Sequence, residues 1–258
     1  GTPRFMAPEI VVGKAKPSRN TDLYSLAVLL FYMFMMGHPL EGRLEADIKC
    51  MDIHAMNKLY GTNPVFVFDP NNKTNRPVKG YQDNVLIYWD LYPQALRDLF
   101  TESFTIGLTA PNKRVTEKKW METFANLITG IIPCPKCGAE VFYDESKAAA
   151  GVVHTCWNCQ SSVPMPASIV IGKSRVLLHK NAKLYAHHIY DDYDMDTVVG
   201  TVVQNPNNPN LWGIRNESKE NWTYIKPDGI QIAVAVGKSA AIAKGVQINF
   251  GRVTGEFK

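Results

Sequence analysis

Four cysteines in two Cys-x-x-Cys pairs constrain this chain more than any other feature of its sequence. Cys134 and Cys137 form the first pair, Cys156 and Cys159 form the second, and eighteen residues separate the two pairs. A Cys-x-x-Cys turn places two thiolates on one side of the backbone, so two such turns can surround one tetrahedral Zn²⁺ ion. The spacing therefore predicts a zinc ribbon whose metal is structural, because four protein ligands leave no open coordination position.

Two disulfides or a redox-active Cys-x-x-Cys are the alternative interpretations of these cysteines. Redox motifs occur singly on a βαβ unit, and the sequence has no such pattern around either pair. The first residues lack the apolar stretch of a secretory leader, so we expect reduced thiols and a cytoplasmic protein. The fifth cysteine, Cys50, lies in a helical pattern and is predicted to be a small buried apolar residue.

The composition is that of an ordinary globular protein. The 258 residues are 45% hydrophobic and 20% charged, and this length suits two or three domains. The longest apolar stretch, residues 26–36, is shorter than the roughly 20 residues that a bilayer-spanning helix needs. The net charge of +4 is spread along the chain, and the predicted ribbon carries Glu140, Asp144 and Glu145. These features argue against a membrane span and against a nucleic-acid surface.

Hydrophobic periodicity divides the chain into a helical first half and a β-rich second half. Helices are predicted over residues 21–36, 45–60, 93–106 and 115–130, the first beginning at Asn20 or Thr21 and ending at Gly37. From Ser168 onward, short alternating segments are separated by turns, which predicts an all-β module. Residues 141–143 and 152–154 are the predicted hairpin strands of the ribbon. The predicted fold class is therefore multidomain α+β.

Three segments of the first half resemble the distal C-lobe of a eukaryotic-like Ser/Thr protein kinase. Residues 1–9 read Gly-Thr-Pro-Arg-Phe-Met-Ala-Pro-Glu and resemble the end of an activation segment. Residues 22–26 resemble the start of the large C-lobe helix, and residues 111–116 resemble a stretch near the end of the lobe. The order and spacing of the segments carry the resemblance. The alternative is an unrelated helical bundle with a chance Ala-Pro-Glu.

The resemblance implies roles for particular residues. Glu9 would form a buried ion pair with Arg114, and Asp22 would accept hydrogen bonds from the backbone of a catalytic loop outside this chain. Thr2 would lie beside the catalytic Asp and the substrate hydroxyl. The residues that would line the pocket next to the phosphoacceptor are Phe5, Met6 and Ala7.

The motifs that handle ATP are absent from the chain. It has no Gly-rich loop, no Val-Ala-Ile-Lys strand, no His-Arg-Asp loop and no Asp-Phe-Gly. We therefore expect ATP and Mg²⁺ to bind only when an upstream kinase half is present, and this chain alone not to phosphorylate a protein substrate. The alternative is a pseudokinase scaffold without catalysis. Residues 40–92 resemble a bacterial group of kinase-like proteins, which implies a von Willebrand A-type protein and a PP2C-type phosphatase as partners.

The end of the chain resembles the second half of a forkhead-associated (FHA) domain. The resemblance lies in residues 212–218, 222–224 and 245–251. FHA domains are β-sandwiches that bind phosphothreonine, and the candidate residues here are Arg215, Asn216 and Ser218. The other interpretation is a degenerate sandwich that docks a partner, since 172–175 and His187-His188 match the family's binding motifs only loosely. His187 and His188 are predicted to be ordinary strand residues rather than metal ligands, because adjacent strand residues point to opposite faces. The acidic loop 191–196 is predicted to be solvated rather than a calcium site.

These predictions divide the chain into three parts. Residues 1–130 are the predicted kinase portion, residues 131–165 the zinc ribbon, and residues 166–258 the FHA-like sandwich.

Overall fold

A computed structural model describes residues 1–190 and 192–258 of the chain. The described residues form two compact units, one made of Gly1–Phe124 with Asp144–Ser146, the other of Ala125–Tyr143 with Lys147–Lys258. The N-terminal part is helical, a four-cysteine cluster follows, and antiparallel sheets complete the chain. The predicted multidomain α+β class is thus confirmed, while the division into three parts stays a prediction.

The first unit is built from short helices around one long helix. Its helices are α1 Pro8–Val11, α2 Arg19–Met35, α3 Arg43–Ala46, α4 Ile53–Asn57, α5 Asp83–Leu91, α6 Gln94–Phe104 and α7 Ile106–Thr109. Helix α8 spans Glu117–Thr129, and 3₁₀ turns lie at Pro3–Phe5 and Pro111–Lys113. The predicted helix over 45–60 is wrong, because α3, α4 and a π-helical turn at Lys58–Thr62 replace it. The sequence analysis also missed α5.

Helix α2 begins at Arg19, two residues earlier than the predicted start at position 21. Ser18 is the N-cap: its hydroxyl accepts a hydrogen bond from Thr21 N at 3.4 Å, and Thr21 Oγ1 accepts one from Ser18 N at 2.8 Å. This reciprocal capping box satisfies two backbone donors and fixes the start of the helix. The helix ends at Met36, whose φ of 52° makes it a left-handed cap, so Gly37 is not the terminator.

Aromatic side chains from α2 and α6 fill the core of the first unit. The Phe31 ring lies 5.1 Å from Phe100 and 5.8 Å from Phe66, both close to edge-to-face. Phe100 in turn contacts Trp120 of α8 at 5.1 Å. All four side chains are almost fully buried. Edge-to-face packing of this kind stabilises the fold by about 0.5–1.5 kcal/mol per pair beyond the contribution of buried apolar area. The cluster therefore holds α2 at the centre of the unit.

Buried polar residues hold the long loop that joins α4 to α5. Asn75 is fully buried, and its Nδ2 donates to the carbonyls of Leu40 and Val65 at 2.8 and 2.7 Å. Arg76 donates to the Val67 carbonyl at 2.8 Å. These bonds satisfy backbone carbonyls that a helix or a sheet would otherwise satisfy. Cys50 lies in the preceding loop and is exposed, so its predicted burial is wrong because the helix expected there does not form.

A two-stranded sheet starts the second unit. Strand β1, Ile131–Pro133, pairs antiparallel with β2, Glu140–Phe142. Residues 152–154 were predicted to be the second hairpin strand, but they are not in a strand. The partner of β2 is β1, which precedes it in the chain. His154, predicted on a strand surface, is buried, with its ring stacked 5.6 Å from Tyr143. The short helix α9, Glu145–Ala149, follows β2.

The rest of the second unit is a sandwich of two antiparallel sheets formed by the described residues. Its strands are β3 Ser168–Ile171, β4 Ser174–Leu177, β5 Lys183–Tyr185, β6 Val198–Asn205, β7 Asn208–Asn216, β8 Trp222–Ile225, β9 Gln231–Val234, β10 Ser239–Ala241, β11 Gln247–Asn249 and β12 Thr254–Phe257. One sheet has the order β10-β7-β6-β5 and the other β4-β3-β12-β11-β8-β9. Inward-facing side chains of both sheets, among them Ile214 and Trp222, form one buried core.

Candidate metal centre and kinase-like segments

The two cysteine pairs lie on turns of the same design. In the first turn, Gly138 N donates to the Cys134 carbonyl at 2.9 Å, and Gly138 has a φ of 73°. In the second turn, Gln160 N donates to the Cys156 carbonyl at 2.9 Å, and Gln160 has a φ of 58°. The left-handed residue after each pair turns the backbone back and leaves both sulfurs on one side.

The four sulfurs form a compact cluster. Their atoms all lie within 4.8 Å of one another, with Cys134 Sγ 3.7 Å from Cys159 Sγ and Cys137 Sγ 3.5 Å from Cys156 Sγ. Four thiolates about 2.3 Å from one Zn²⁺ would be separated by about 3.8 Å, whereas a disulfide needs about 2.05 Å. The cluster therefore has the dimensions of a four-cysteine structural metal site such as a zinc site.

The surroundings of the cluster favour a thiolate at Cys159 and hold the turns in a fixed geometry. Hydrogen bonds from the side chain and backbone of Ser161 lower the pKa of the Cys159 thiol to about 6. Cys134 and Cys156 are buried with Ile132, Val141, Val163 and Leu177 in one apolar cluster. Since Leu177 belongs to β4, the metal centre and the sandwich share a core within the second unit.

Glu9 and Arg114 form a bidentate ion pair in the first unit. Arg114 Nη1 donates to Glu9 Oε1 at 2.8 Å and Nη2 donates to Oε2 at 2.9 Å. The same guanidinium donates to the carbonyls of Gly107 and Asn20, at 2.9 and 2.8 Å, and lies 5.2 Å from the Tyr24 ring centroid. Burial raises the pKa of Glu9, but hydrogen bonds and the charge of Arg114 outweigh it, so the pKa is lowered overall.

The other candidate residues of the N-terminal segment differ in exposure. Thr2 is exposed, and its carbonyl accepts a hydrogen bond from Phe5 N at 3.0 Å. Phe5 and Met6 are half-buried, whereas Ala7 is 1% exposed. Ser25 Oγ donates to the Phe5 carbonyl at 2.8 Å, which ties this segment to α2. Among the described residues we find no hydrogen-bond donor to the carboxylate of Asp22, which is exposed in the first turn of α2.

One face of α2 is apolar yet exposed. Leu29 is 49% exposed, Met33 71% and Met36 58%. Together with Asp22 and Leu26, these residues recur every three or four positions and so share a face of the helix. These large side chains form an exposed apolar patch on the first unit.

A pocket of about 510 Å³, which the sequence analysis missed, lies beside Arg4. Arg4 Nε and Nη2 donate to the two carboxylate oxygens of Glu41, both at 2.6 Å, and Tyr60 also donates to Glu41 at 2.7 Å. The residues lining the pocket come from the N-terminal 3₁₀ turn, α2, α3, α5 and adjoining loops, so no local sequence motif predicts the pocket. They are Arg4, Tyr32, Met36, Gly37, His38, Glu41, Glu45, Tyr81, Gln82, Asp83, Asn84 and Val85.

His38 lies at the base of this pocket, 1% exposed. Its Nδ1 accepts a hydrogen bond from Leu40 N at 3.2 Å, which leaves Nε2 to donate to the Arg4 carbonyl at 2.7 Å. Burial lowers the pKa of His38 to about 4, because the imidazolium would lose its hydration and the nearby Glu41 compensates only in part. The side chain is therefore neutral at physiological pH.

The candidate phosphopeptide residues of the β module differ in exposure. Asn216 is fully buried: its Nδ2 donates to the carbonyls of Glu220 and Val234 at 2.8 and 3.0 Å. Its Oδ1 accepts from Ser218 N and from the Ser218 hydroxyl. Ser218 Oγ also accepts from the Trp222 indole at 3.1 Å. Arg215 is exposed and pairs with Glu217. These contacts give Asn216 and Ser218 a role in holding the loop after β7.

The loose FHA-like matches fall on other elements. Residues 172–175 form the β3–β4 turn and the start of β4. His187 and His188 lie in the short helix α10, Ala186–Tyr190, with ring centroids 3.9 Å apart, so their predicted strand positions are wrong. In the acidic loop, Asp191 lies outside the described residues. The backbone amides of Asp196 and Thr197 donate to Asp194 Oδ1, which is an ordinary loop contact.

Comparisons with known proteins give a short partial match. Over 48 residues, 19% of this chain, the sequence is 52% identical to Protein kinase C-like 1 of Candida albicans. The chain covers only 4% of the length of that relative. No protein-family model matches the chain. The similarity supports a relation to protein kinases over a limited segment. None of the helices formed by the described residues has the length and apolarity needed to cross a bilayer.

Proposed function

We propose that the first unit is the substrate-side part of a Ser/Thr protein kinase C-lobe. The Glu9–Arg114 ion pair carries this proposal, because it joins an Ala-Pro-Glu segment to a Pro-x-x-Arg-x-Thr segment 105 positions away. Chance motifs give no reason for such a pairing. The 52% identity to a protein kinase C-like protein over 48 residues supports it further.

In this proposal the N-terminal segment presents the protein substrate. Exposed Thr2 would orient the acceptor hydroxyl, while Phe5, Met6 and Ala7 would form the floor of the neighbouring pocket. ATP and Mg²⁺ would be held by an upstream half that supplies the catalytic Asp and the phosphate-binding Lys. The contribution of this chain is binding and orientation of the substrate, which in phosphoryl transfer makes up much of catalysis.

The exposed face of α2 supports an upstream half as the partner. Covering an exposed Leu or Met side chain stabilises an assembly by about 1.5–3 kcal/mol for full burial, and three such side chains lie in one row. Asp22, at the N-terminal end of the row, has an exposed carboxylate that can accept hydrogen bonds from backbone N–H groups. A catalytic loop packed along this row would meet both the apolar side chains and the acceptor.

The second unit would serve as a docking module. The four cysteines would hold Zn²⁺ as a structural ion, and the sandwich would bind a partner or substrate. The internal contacts of Asn216 and Ser218 favour docking over phosphothreonine recognition. A von Willebrand A-type protein and a PP2C-type phosphatase in the cytoplasm are the partners that the sequence resemblance implies. Retention of either one by the immobilised chain tests this part of the proposal.

Assembly with the upstream segment tests the kinase proposal. The segment preceding residue 1 and this chain are co-expressed as separate fragments, with an affinity tag on the first. We expect co-purification, and Met33→Glu on the apolar face should abolish it. Ile53→Glu serves as the matched control, because Ile53 is 59% exposed on α4, away from that face.

The same fragments distinguish a kinase from a pseudokinase scaffold. A kinase assembly transfers ³²P from ATP to a protein substrate, and this chain alone does not. Assembly without transfer would favour the scaffold. Equal co-purification of the Met33→Glu and parent chains would contradict the proposed covering of α2.

A further inference from the structure

The pocket beside Arg4 has the chemistry of a cation-binding site. Its lining contributes three carboxylates, from Glu41, Glu45 and Asp83, and one positive side chain, Arg4. The Tyr81 ring, 62% exposed, forms part of the rim. A concave surface with excess negative charge concentrates field lines and attracts cations more strongly than a flat one does.

Arg4 shows how a guanidinium is held in this pocket. Both of its hydrogen bonds to Glu41 are 2.6 Å long, and its guanidinium carbon lies 5.4 Å from the Tyr32 ring centroid. A planar fork matched to a carboxylate and lying over an aromatic face is the combination that selects Arg over Lys. The internal pair neutralises Glu41 and leaves the other two carboxylates of the pocket available.

Glu45 and Asp83 are not neutralised in this way. Glu45 accepts hydrogen bonds only from the neutral groups Tyr81 Oη and Gln82 Nε2, both at 3.2 Å, among the described residues. Asp83 accepts one from Gly80 N at 2.7 Å. Neither carboxylate forms an ion pair within the described part of the chain. The negative potential of Glu45 raises the pKa of the Tyr81 phenol, which agrees with an uncompensated charge at this rim.

We propose that this pocket binds the guanidinium of an arginine in the protein substrate. Glu45 and Asp83 would pair with the incoming cation, and the Tyr81 ring would cover one face of it. Arg4 lies in the segment of residues 1–9 that is expected to bind the substrate. The pocket would therefore bind a substrate side chain near the phosphoacceptor. The inference rests on the proposed function, since it names a substrate class for the same site.

The experiment measures peptide binding to the intact chain by fluorescence anisotropy. The probes are labelled nine-residue Gly/Ala peptides with one Ser and one Arg at varied spacing, each matched by a peptide with neutral citrulline in place of Arg. We expect the best Arg peptide to bind about fivefold tighter than its citrulline counterpart, as for a partly exposed charge pair. The preference should weaken as salt is raised.

Single substitutions test which residues cause the preference for Arg over citrulline peptides. Glu45→Gln and Asp83→Asn should each reduce this preference to about twofold or less, with circular dichroism unchanged because Asp83 is exposed and Gln keeps the size of the half-buried Glu45. Glu122→Gln removes an equal charge from α8, outside the pocket lining, and should leave the preference intact. Equal binding of Arg and citrulline peptides, or an Arg preference that survives both pocket variants, would overturn the inference. Spermidine displacing the Arg peptide at equal concentration would rule out a peptide arginine as the occupant.

The same peptides separate this inference from the proposed function. If the chain joined to its upstream half phosphorylates Arg and citrulline peptides equally well, the kinase proposal stands and the arginine pocket is wrong. If Arg-selective binding persists while that assembly transfers no phosphate, the pocket stands and the kinase proposal is wrong.

Discussion

Arg114 holds Glu9 through two hydrogen bonds of 2.8 and 2.9 Å, although 105 positions separate the two residues. The Arg114 side chain is 2% exposed and that of Glu9 20%. A pair this well enclosed, in which two carbonyls accept further hydrogen bonds from the guanidinium, differs from a surface ion pair. It closes the helical unit by joining its first segment to the turn before its last helix.

Removing one partner of this pair should destabilise the first unit strongly. Glu9→Gln leaves the Arg114 charge buried without its counter-ion, and we expect a loss of about 3–5 kcal/mol. Urea unfolding followed by far-ultraviolet circular dichroism, which reports mainly the helices, measures it. The control is Glu102→Gln, because the exposed Lys119–Glu102 pair should contribute under about 1 kcal/mol. Equal effects of the two variants would contradict the buried role of the Glu9–Arg114 pair.

Burial of His38 should make the first unit acid-sensitive. Its pKa is about 4 in the folded chain, against an ordinary value of 6.5, so the unfolded chain takes up the proton first. The stabilising contribution is therefore present above about pH 6.5 and is lost as the pH falls towards 4, amounting to about 3 kcal/mol. His38→Gln should flatten the dependence of the urea midpoint on pH in this window. The exposed His54, changed to Gln, should leave the slope as it is.

Loss of the metal should unfold the start of the second unit. Cys137→Ser removes one of the four sulfurs, and we expect metal content under reducing conditions to fall from about one zinc per chain to near zero. Because Leu177 of β4 packs in the cysteine cluster, amide exchange of β4 should also speed up. Cys50→Ser should change neither quantity. A parent protein that contains no zinc, or full zinc in the Cys137→Ser variant, would contradict the site.

Asn216 should matter for stability and not for phosphopeptide binding. Asn216→Ala removes the side-chain donor to the buried Val234 carbonyl and the acceptor of Ser218 N, and each buried group left unsatisfied costs about 1–3 kcal/mol. Arg215→Ala, at an exposed position of the same strand, should change stability by under about 0.5 kcal/mol. Thermal unfolding compares the two variants. Selective binding of a phosphothreonine peptide that Arg215→Ala abolishes would instead support the FHA-like recognition role.

Features set by local spacing could be predicted from the sequence. The two Cys-x-x-Cys turns bring four sulfurs together because each turn is a self-contained backbone conformation. The period of apolar residues located α2, α6 and α8 to within a few residues, and the alternation after Ser168 indicated the sheets. The resemblance of the Ala-Pro-Glu and Arg114 segments to kinase motifs predicted the Glu9–Arg114 ion pair, although the two residues are far apart in sequence.

Features set by tertiary contacts could not be predicted. The pocket beside Arg4 gathers side chains from three separate stretches, none of which carries a motif. Cys50 was expected to be buried because its neighbours have a helical pattern, but that region forms the short helices α3 and α4 with a loop between them. His187 and His188 were placed on a strand, since the alternating pattern around them does not reveal the short helix α10.

Phosphoryl transfer by the chain joined to its upstream half tests the central claim most directly. The measurement is ³²P transfer from ATP to a protein substrate, comparing the parent with Thr2→Val. Thr2 is exposed, so this change should leave stability unaltered while it removes the hydroxyl proposed to orient the acceptor. We predict transfer by the parent and a loss of about tenfold or more in the variant, as expected for a group that positions reactants. No transfer by the parent, or equal rates for the two proteins, would contradict the account.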